Sequence, residues 1–428
     1  MRSGTGRLAA VDEANLVLDR FGQVNVFLIA GLLGPGGFVG RDGRPDLAAL
    51  RAVLHGRITT IPPLRRVPVP AGRRHRWVDA SPDVEEHIRL VEPVDGLRGL
   101  ERKCGELMTV RLALDRPPWE LLVVPGAGAE QVGIVLRIHH AIADGVAAVA
   151  IAQQLFERVE PDAASAVPPD GPVPGSAPIV PIRPRADPSH VLRRISFGLR
   201  RILTILAGRG IGPTVLLGDR SSLRGVAFVD VDLEALEARV RPLGATVNDA
   251  LLAAVAAGYA AALSASGEQL PSELPVSVPV ALRRRGTSGN QVGAMLVRLP
   301  LGEPEPDARL QLIAARTQEE KGRAREQGTL EFMRGPLGAR IMDRIGHRQH
   351  VVASVVTNVP GPASRLCLAS APVVAIWPVT ILAANVRLAV AAVSYAGRLR
   401  CGIHFDEVNV PGAVFARAME EEFARLAK

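Results

Sequence analysis

Two adjacent histidines, His139 and His140, followed by Asp144 and Gly145, are the residues whose types and spacing suit proton transfer. An imidazole titrates near neutral pH, so either ring could serve as general base towards a hydroxyl. The preceding residues from Gln131 are apolar and β-branched (Val132, Ile134, Val135, Ile138), which reads as a buried strand. Neighbouring residues on a strand point to opposite sides. One histidine is therefore expected to face reacting groups while the other packs or hydrogen-bonds. After Gly145 the apolar spacing turns helical, with no proline until Pro161. The imidazoles thus stand where a strand gives way to a loop, a frequent place for reactive groups. Asp144 reads either as the partner of a distant arginine or as the cap of the helix. Gly145 reads as leaving space beside an imidazole for a substrate. On spacing alone the pair is equally the plain end of a strand. Metal ligation is disfavoured, because the histidines lack i, i+4 spacing and the three cysteines are far apart.

The elements that must position these residues belong to a chain of 428 residues, 47% apolar and 22% charged, long enough for two domains. Only 4% is aromatic, which makes the core aliphatic. The net charge of +8 rests on arginine, since Lys103, Lys321 and Lys428 are the only lysines. Such a charge suits the phosphates of a carrier such as coenzyme A, or an anionic lipid surface. Nucleic acid is not expected, because the arginines are scattered and no binding motif occurs. Cys104, Cys367 and Cys401 read as reduced thiols of a cytoplasmic protein. Asp12 and Glu13 interrupt any signal-peptide core. The uncharged stretch Leu366 to Val386 contains Pro372 and Pro378 and reads as strands and turns rather than a membrane helix.

Three segments emerge. Residues 1–158 form a first half with a helix over Leu97 to Leu114, a turn over Pro125 to Glu130, and the histidine pair. Residues 159–222 hold a Pro-rich linker and a helix, Val191 to Leu206, with arginines on one face and aliphatics on the other; such a helix suits a membrane interface. Residues 223–428 form a second mixed half. There Thr246 or Asn248 caps a long Ala/Leu helix, Asn358 to Pro362 reads as a turn, and His404 with Asp406 reads as an exposed polar face.

His139-His140-Ala-Ile-Ala-Asp144-Gly145 matches the His-His-x-x-x-Asp-Gly motif of the coenzyme A-dependent acyltransferase superfamily. Further elements follow in order: Pro118-Trp119-Glu120, Asn248-Asp249, Val278 to Arg283, Gly289-Asn290-Gln291-Val292, Asn358 to Pro362, Ser394 to Gly397, and Gly402 to Asp406. Together they resemble the bacterial wax ester synthase/acyl-CoA:diacylglycerol acyltransferase family over most of the chain. The resemblance implies an α+β fold of two chloramphenicol-acetyltransferase-like, condensation-domain-like halves with mixed sheets, flanking helices and a central substrate channel. It implies His140 as general base, His139, Asp144, Gly145 and Arg283 as support, and an ion pair between Asp144 and Arg283. Asn248, Asn290 and Asn358 become candidates for contacting substrate or an oxyanion, and His404 and Asp406 become structural. Acyl-CoA is then a substrate, with diacylglycerol or a long-chain alcohol as acceptor, and no cofactor is permanently bound; the basic helix leaves open either contact with a membrane or lipid-droplet surface or packing on the domain with its arginines in solvent. An acceptor such as a polyketide or glycolipid, or a non-catalytic lipid-binding role, is the alternative. Two elements depart from the family pattern. Pro117-Pro118-Trp119 replaces its leucine before tryptophan, and the segment Asn15 to Phe27 lacks its Met-His pair, which leaves the acceptor alcohol open.

Overall fold

The computed structural model describes residues 6–20, 23–72, 74–158, 211–281, 292–327, 344, 346–362 and 364–428. Arg283, Asn290 and the expected helix over Val191 to Leu206 lie outside the described residues.

Two mixed sheets carry the α+β fold. In the first, β4 (Ile88–Leu90), β5 (Trp119–Gly128), β6 (Gln131–His139) and β1 (Val26–Leu33) lie side by side. The sheet continues with β13 (Ala371–Val379), β12 (Leu366–Leu368) and β7 (Glu157–Arg158). Two strands from late in the chain therefore complete the sheet that carries the histidine pair. The second sheet runs β10 (Val292–Pro300), β9 (Glu273–Ala281), β11 (Ser354–Val359), β14 (Leu388–Tyr395), β15 (Arg398–Asp406) and β8 (Arg224–Asp232). Here β11 is parallel to both its neighbours, while the other pairs are antiparallel. A separate hairpin joins β2 (Arg66–Ala71) to β3 (Arg74–Asp79).

Strand alternation sorts β6 between two cores. Ile134, Leu136 and Ile138 pack beneath α2 (Leu47–Ile58) and α5 (Gly145–Leu155). On α2 the buried residues Leu50, Leu54 and Ile58 recur every four positions, the stripe an amphipathic helix lays on a sheet. Val135 faces the opposite side, under α4 (Gly96–Leu107), with Phe228 of β8 and Trp377 of β13. The second half is built around α7 (Val247–Ala265), buried on nearly every side and packed against α8 (Pro306–Gln327) and α9 (Gly412–Leu426). Thr246 caps α7 in a reciprocal pairing with Asp249, so Asn248 is not the cap. Among the described residues α7 is the one helix long and apolar enough to cross a membrane, and it serves as a core helix.

Four local expectations are corrected. The helix expected to reach Leu114 ends at Leu107, because the buried Arg137 takes the carbonyls of Leu107 and Val110 as acceptors and draws the chain away from the helix axis. The turn expected from Pro125 shrinks, since β5 runs on to Gly128 across a register shift. Gly126 sits there at φ +79°, with the carbonyl of Val94 2.2 Å from where a Cβ would stand, so only glycine fits. Asn358 lies within β11 rather than in a turn. His404 and Asp406 are buried, not exposed, because β15 lies inside the sheet between β14 and β8. Asp406 accepts the backbone N–H groups of Ser221, Val408 and Asn409, which ties the approach to β8 onto β15.

The sheets are in close contact at Gly402. A Cβ there would stand 2.0 Å from the carbonyl of Pro378, so a bare α-carbon lets β15 press on the end of β13. Where they diverge from this contact, a cavity opens.

Candidate active site

The cavity, of about 390 Å³, is lined by β1, α5, β11, β14 and the end of β13. His140 lines it together with Asp144, Gly145 and Asn358. Most of the lining is aliphatic: Ala148, Val149, Ala152 and Phe156 follow one side of α5 away from His140, and Ala391 to Val393 face them from β14. The space therefore offers an apolar wall with one imidazole near the start of α5, a form suited to an alkyl chain carrying one reactive polar end.

The two histidines separate as strand geometry requires. His139, the last residue of β6, is wholly buried, and its N–H bonds to the carbonyl of Pro118 at 3.0 Å. Its Nδ1 accepts the N–H of Ala141 at 3.0 Å, and its Nε2 lies 3.8 Å from Oδ1 of Asp19. His140 turns the other way, edge-on to the Phe27 ring with centroids 5.0 Å apart. Its main chain is held on both sides. The N–H of His140 donates to the carbonyl of Asn25, and the Asn15 amide donates to the carbonyl of His140, each at 3.0 Å.

Burial drives the His140 pKa down to about 4, the neighbouring His139 adds to the fall, and Asp144 opposes it. The ring is therefore neutral at neutral pH, its lone pair free for a proton, although burial makes it a weaker base than an exposed imidazole. Asp144 caps α5, accepting the N–H of Ala147 at 2.9 Å. A Cβ on Gly145 would meet Val359 at 3.6 Å across the cavity, so this glycine widens the space beside the imidazole.

The Pro117 to Glu120 element works behind the strand. The Trp119 indole N–H donates to the carbonyl of Leu64 at 2.8 Å. Glu120 binds Arg89 at 2.6 Å and the buried Arg137. Burial would raise the Glu120 pKa, but the two guanidinium groups hold it below the ordinary carboxylate value. Asn248 stands in the first turn of α7 and is not among the residues lining the cavity. Residues that sequence reasoning missed are Asn15, Asp19 and Asn25, which grip the motif from α1 (Ala10–Arg20) and the start of β1. The i, i+4 spacing of Asn15 and Asp19 was the available signal. Among the described residues no group of three or more His, Cys, Asp or Glu could hold a metal ion.

Comparison with known proteins identifies the family. Residues 9–251 match the wax ester synthase/diacylglycerol acyltransferase catalytic domain, and residues 288–427 match the C-terminal domain of the same family. A probable diacylglycerol O-acyltransferase of Mycobacterium tuberculosis is 29% identical over 377 residues, covering 82% of this chain and 81% of that protein. Among solved structures, the wax ester synthase/diacylglycerol acyltransferase from Marinobacter aquaeolei superposes with a TM-score of 0.73 at 20% identity, covering 98% of both chains. The trichothecene 15-O-acetyltransferase TRI3 from Fusarium sporotrichioides shares the fold with a TM-score of 0.65 at 11% identity, over 99% of this chain and 94% of that one. This chain belongs to the wax ester synthase/diacylglycerol acyltransferase family.

Proposed function

We propose that the protein transfers a long-chain acyl group from acyl-CoA to the hydroxyl of diacylglycerol or a long-chain alcohol, with His140 as general base. The observation that carries this reading is one neutral imidazole set into an otherwise largely aliphatic cavity between the sheets. His140 takes the acceptor's hydroxyl proton as the oxygen attacks the thioester carbonyl. The tetrahedral adduct collapses with loss of the C–S bond, and the imidazolium returns its proton to the departing thiolate. A base whose conjugate acid is this strong forms imidazolium only transiently, which favours the return step. Asn358 offers an amide in the lining as a donor to the oxyanion. Acyl-CoA is a substrate in this scheme, and no permanently bound cofactor is required. The reading places the enzyme in the cytoplasm, which suits its three free cysteines, and its net charge of +8 suits contact with an anionic membrane or lipid-droplet surface.

The test is CoA release from palmitoyl-CoA with dipalmitoylglycerol or hexadecanol. The wild type is expected to release CoA with at least one of them, and His140→Ala to lose about 100-fold or more in kcat. Activity within about tenfold of wild type in that variant would remove the base assignment. Tight acyl-CoA binding with no release for any alcohol would favour a lipid-binding role instead.

A further inference from the structure

The chemistry just described makes no use of a buried carboxylate that stands beside the motif. Asp19, near the end of α1, is 4% exposed. Its Oδ1 accepts the N–H of Asn25 at 3.0 Å and faces Nε2 of His139 at 3.8 Å. Its Oδ2 lies 4.0 Å from Nε of Arg111. Burial works to raise the Asp19 pKa, but the His139 ring, the Asn25 N–H and Arg111 hold it below the ordinary value, so the carboxylate is ionised.

The ring of His139 has its proton placed by its neighbours. A backbone N–H donates only to a ring nitrogen that carries no hydrogen, so the Ala141 N–H at 3.0 Å requires the Nε2–H tautomer. That Nε2–H is buried and, among the described residues, has no partner within hydrogen-bond distance; the Asp19 carboxylate faces it at 3.8 Å, close enough to attract it electrostatically. Asp19 also anchors the main chain of Asn25, whose carbonyl receives the N–H of His140 at 3.0 Å. Asn15, one turn before Asp19, closes the loop by donating to the carbonyl of His140 and accepting from the Asn25 amide at 2.9 Å.

We propose that Asp19 is a positioning residue for the general base: it holds His139 as the Nε2–H tautomer and fixes Asn25, and through both it sets the turn that aims His140 into the cavity. The logic is that of an aspartate that orients a histidine without touching substrate, here acting one residue away from the reactive ring. The inference rests on His140 being the base.

Asp19→Asn tests it, because every partner of this carboxylate is a donor and an amide NH₂ must then face one of them. In the full-length protein kcat is expected to fall about 10- to 100-fold, with KM for palmitoyl-CoA changed less than about twofold. Histidine-ring ¹⁵N NMR of the wild type is expected to show a buried Nε2–H tautomer, assigned by its absence in His139→Gln and lost or mixed in Asp19→Asn. Val17→Ala, a buried α1 change away from the motif, serves as the stability control. Three results would overturn the proposal: a kcat in Asp19→Asn within about twofold of wild type, an equal kcat loss in Val17→Ala at matched Tm, or an Nδ1–H tautomer for His139 in the wild type. The last is read without any Asp19 variant, so it decides the matter even if Asp19→Asn does not fold. Failure of the base reading looks different, since activity would then survive His140→Ala whatever Asp19→Asn did.

Discussion

The acid limb of the pH–rate profile offers a quantitative check on the site. Moving the His140 pKa from 6.5 to about 4 makes its imidazolium roughly 3 kcal/mol harder to form. At about pH 5 some nine-tenths of such rings are neutral, against about 3% at the ordinary value. If the neutral ring is the base, kcat/KM is nearly flat from about pH 8 down to 5 and halves near pH 4. The assay is a quenched reaction with palmitoyl-CoA and hexadecanol, with released CoA measured by chromatography because thiol dyes respond poorly in acid. Stability must be followed in parallel. His140 and His404, whose pKa burial pushes to about 3, both bind protons more readily unfolded than folded. Their contribution is full above about pH 6.5 and is lost as pH falls towards 4 and 3. Asp12, raised to about 6 chiefly by burial, works in the opposite sense, adding stability as pH falls from about 6 to 3.8. Initial rates on protein shown to be folded by circular dichroism separate protonation of the base from unfolding. A limb with its midpoint at 6 or above, on folded protein, would refute the argument that the enclosed ring resists charge.

Two further outcomes follow from side chains around the site. Glu120→Gln leaves the buried Arg137 without its carboxylate and is expected to destabilise the protein by about 3–5 kcal/mol, read as a lower urea midpoint; a loss under about 1 kcal/mol would mean the pair contributes little. Ala152→Phe places a ring in the cavity wall two turns along α5 from Gly145, roughly 10 Å from the start of the helix. Activity with a sixteen-carbon chain is expected to fall about tenfold or more while an eight-carbon chain is spared, and unchanged chain-length profiles for both acyl-CoA and alcohol would show that no alkyl chain lies there.

The catalytic strand was legible because local rules decide it. An apolar β-branched run fixes β6, alternation separates His139 from His140, and Asp144 marks the start of α5 by an ordinary capping preference. The helix over α4 was read too long because its stop signal, Arg137, lies 30 residues away and carries no local mark. His404 and Asp406 were misread as exposed because their burial depends on β15 being an interior strand, which is a matter of strand order rather than of neighbouring residues. Asp19 was missed for a similar reason: its meaning depends on a histidine 120 residues further on. Motif resemblance reached the family, while the support around the motif needed the three-dimensional arrangement.

The insertion of β13 beside β1 also bears on how this protein is made. On the ribosome, β6 is complete when His139 has been synthesised, but β13, the neighbour of β1 on its other side, ends at Val379, about 240 residues later. At roughly 5–20 residues per second that interval lasts about 12–50 s. Throughout it, the apolar strand Val26–Leu33 presents an open hydrogen-bonding edge, the kind of surface that recruits other chains. The catalytic half is thus an unfinished template during translation, and a nascent chain truncated before Ala371 retains the whole motif yet lacks the strand that closes its sheet.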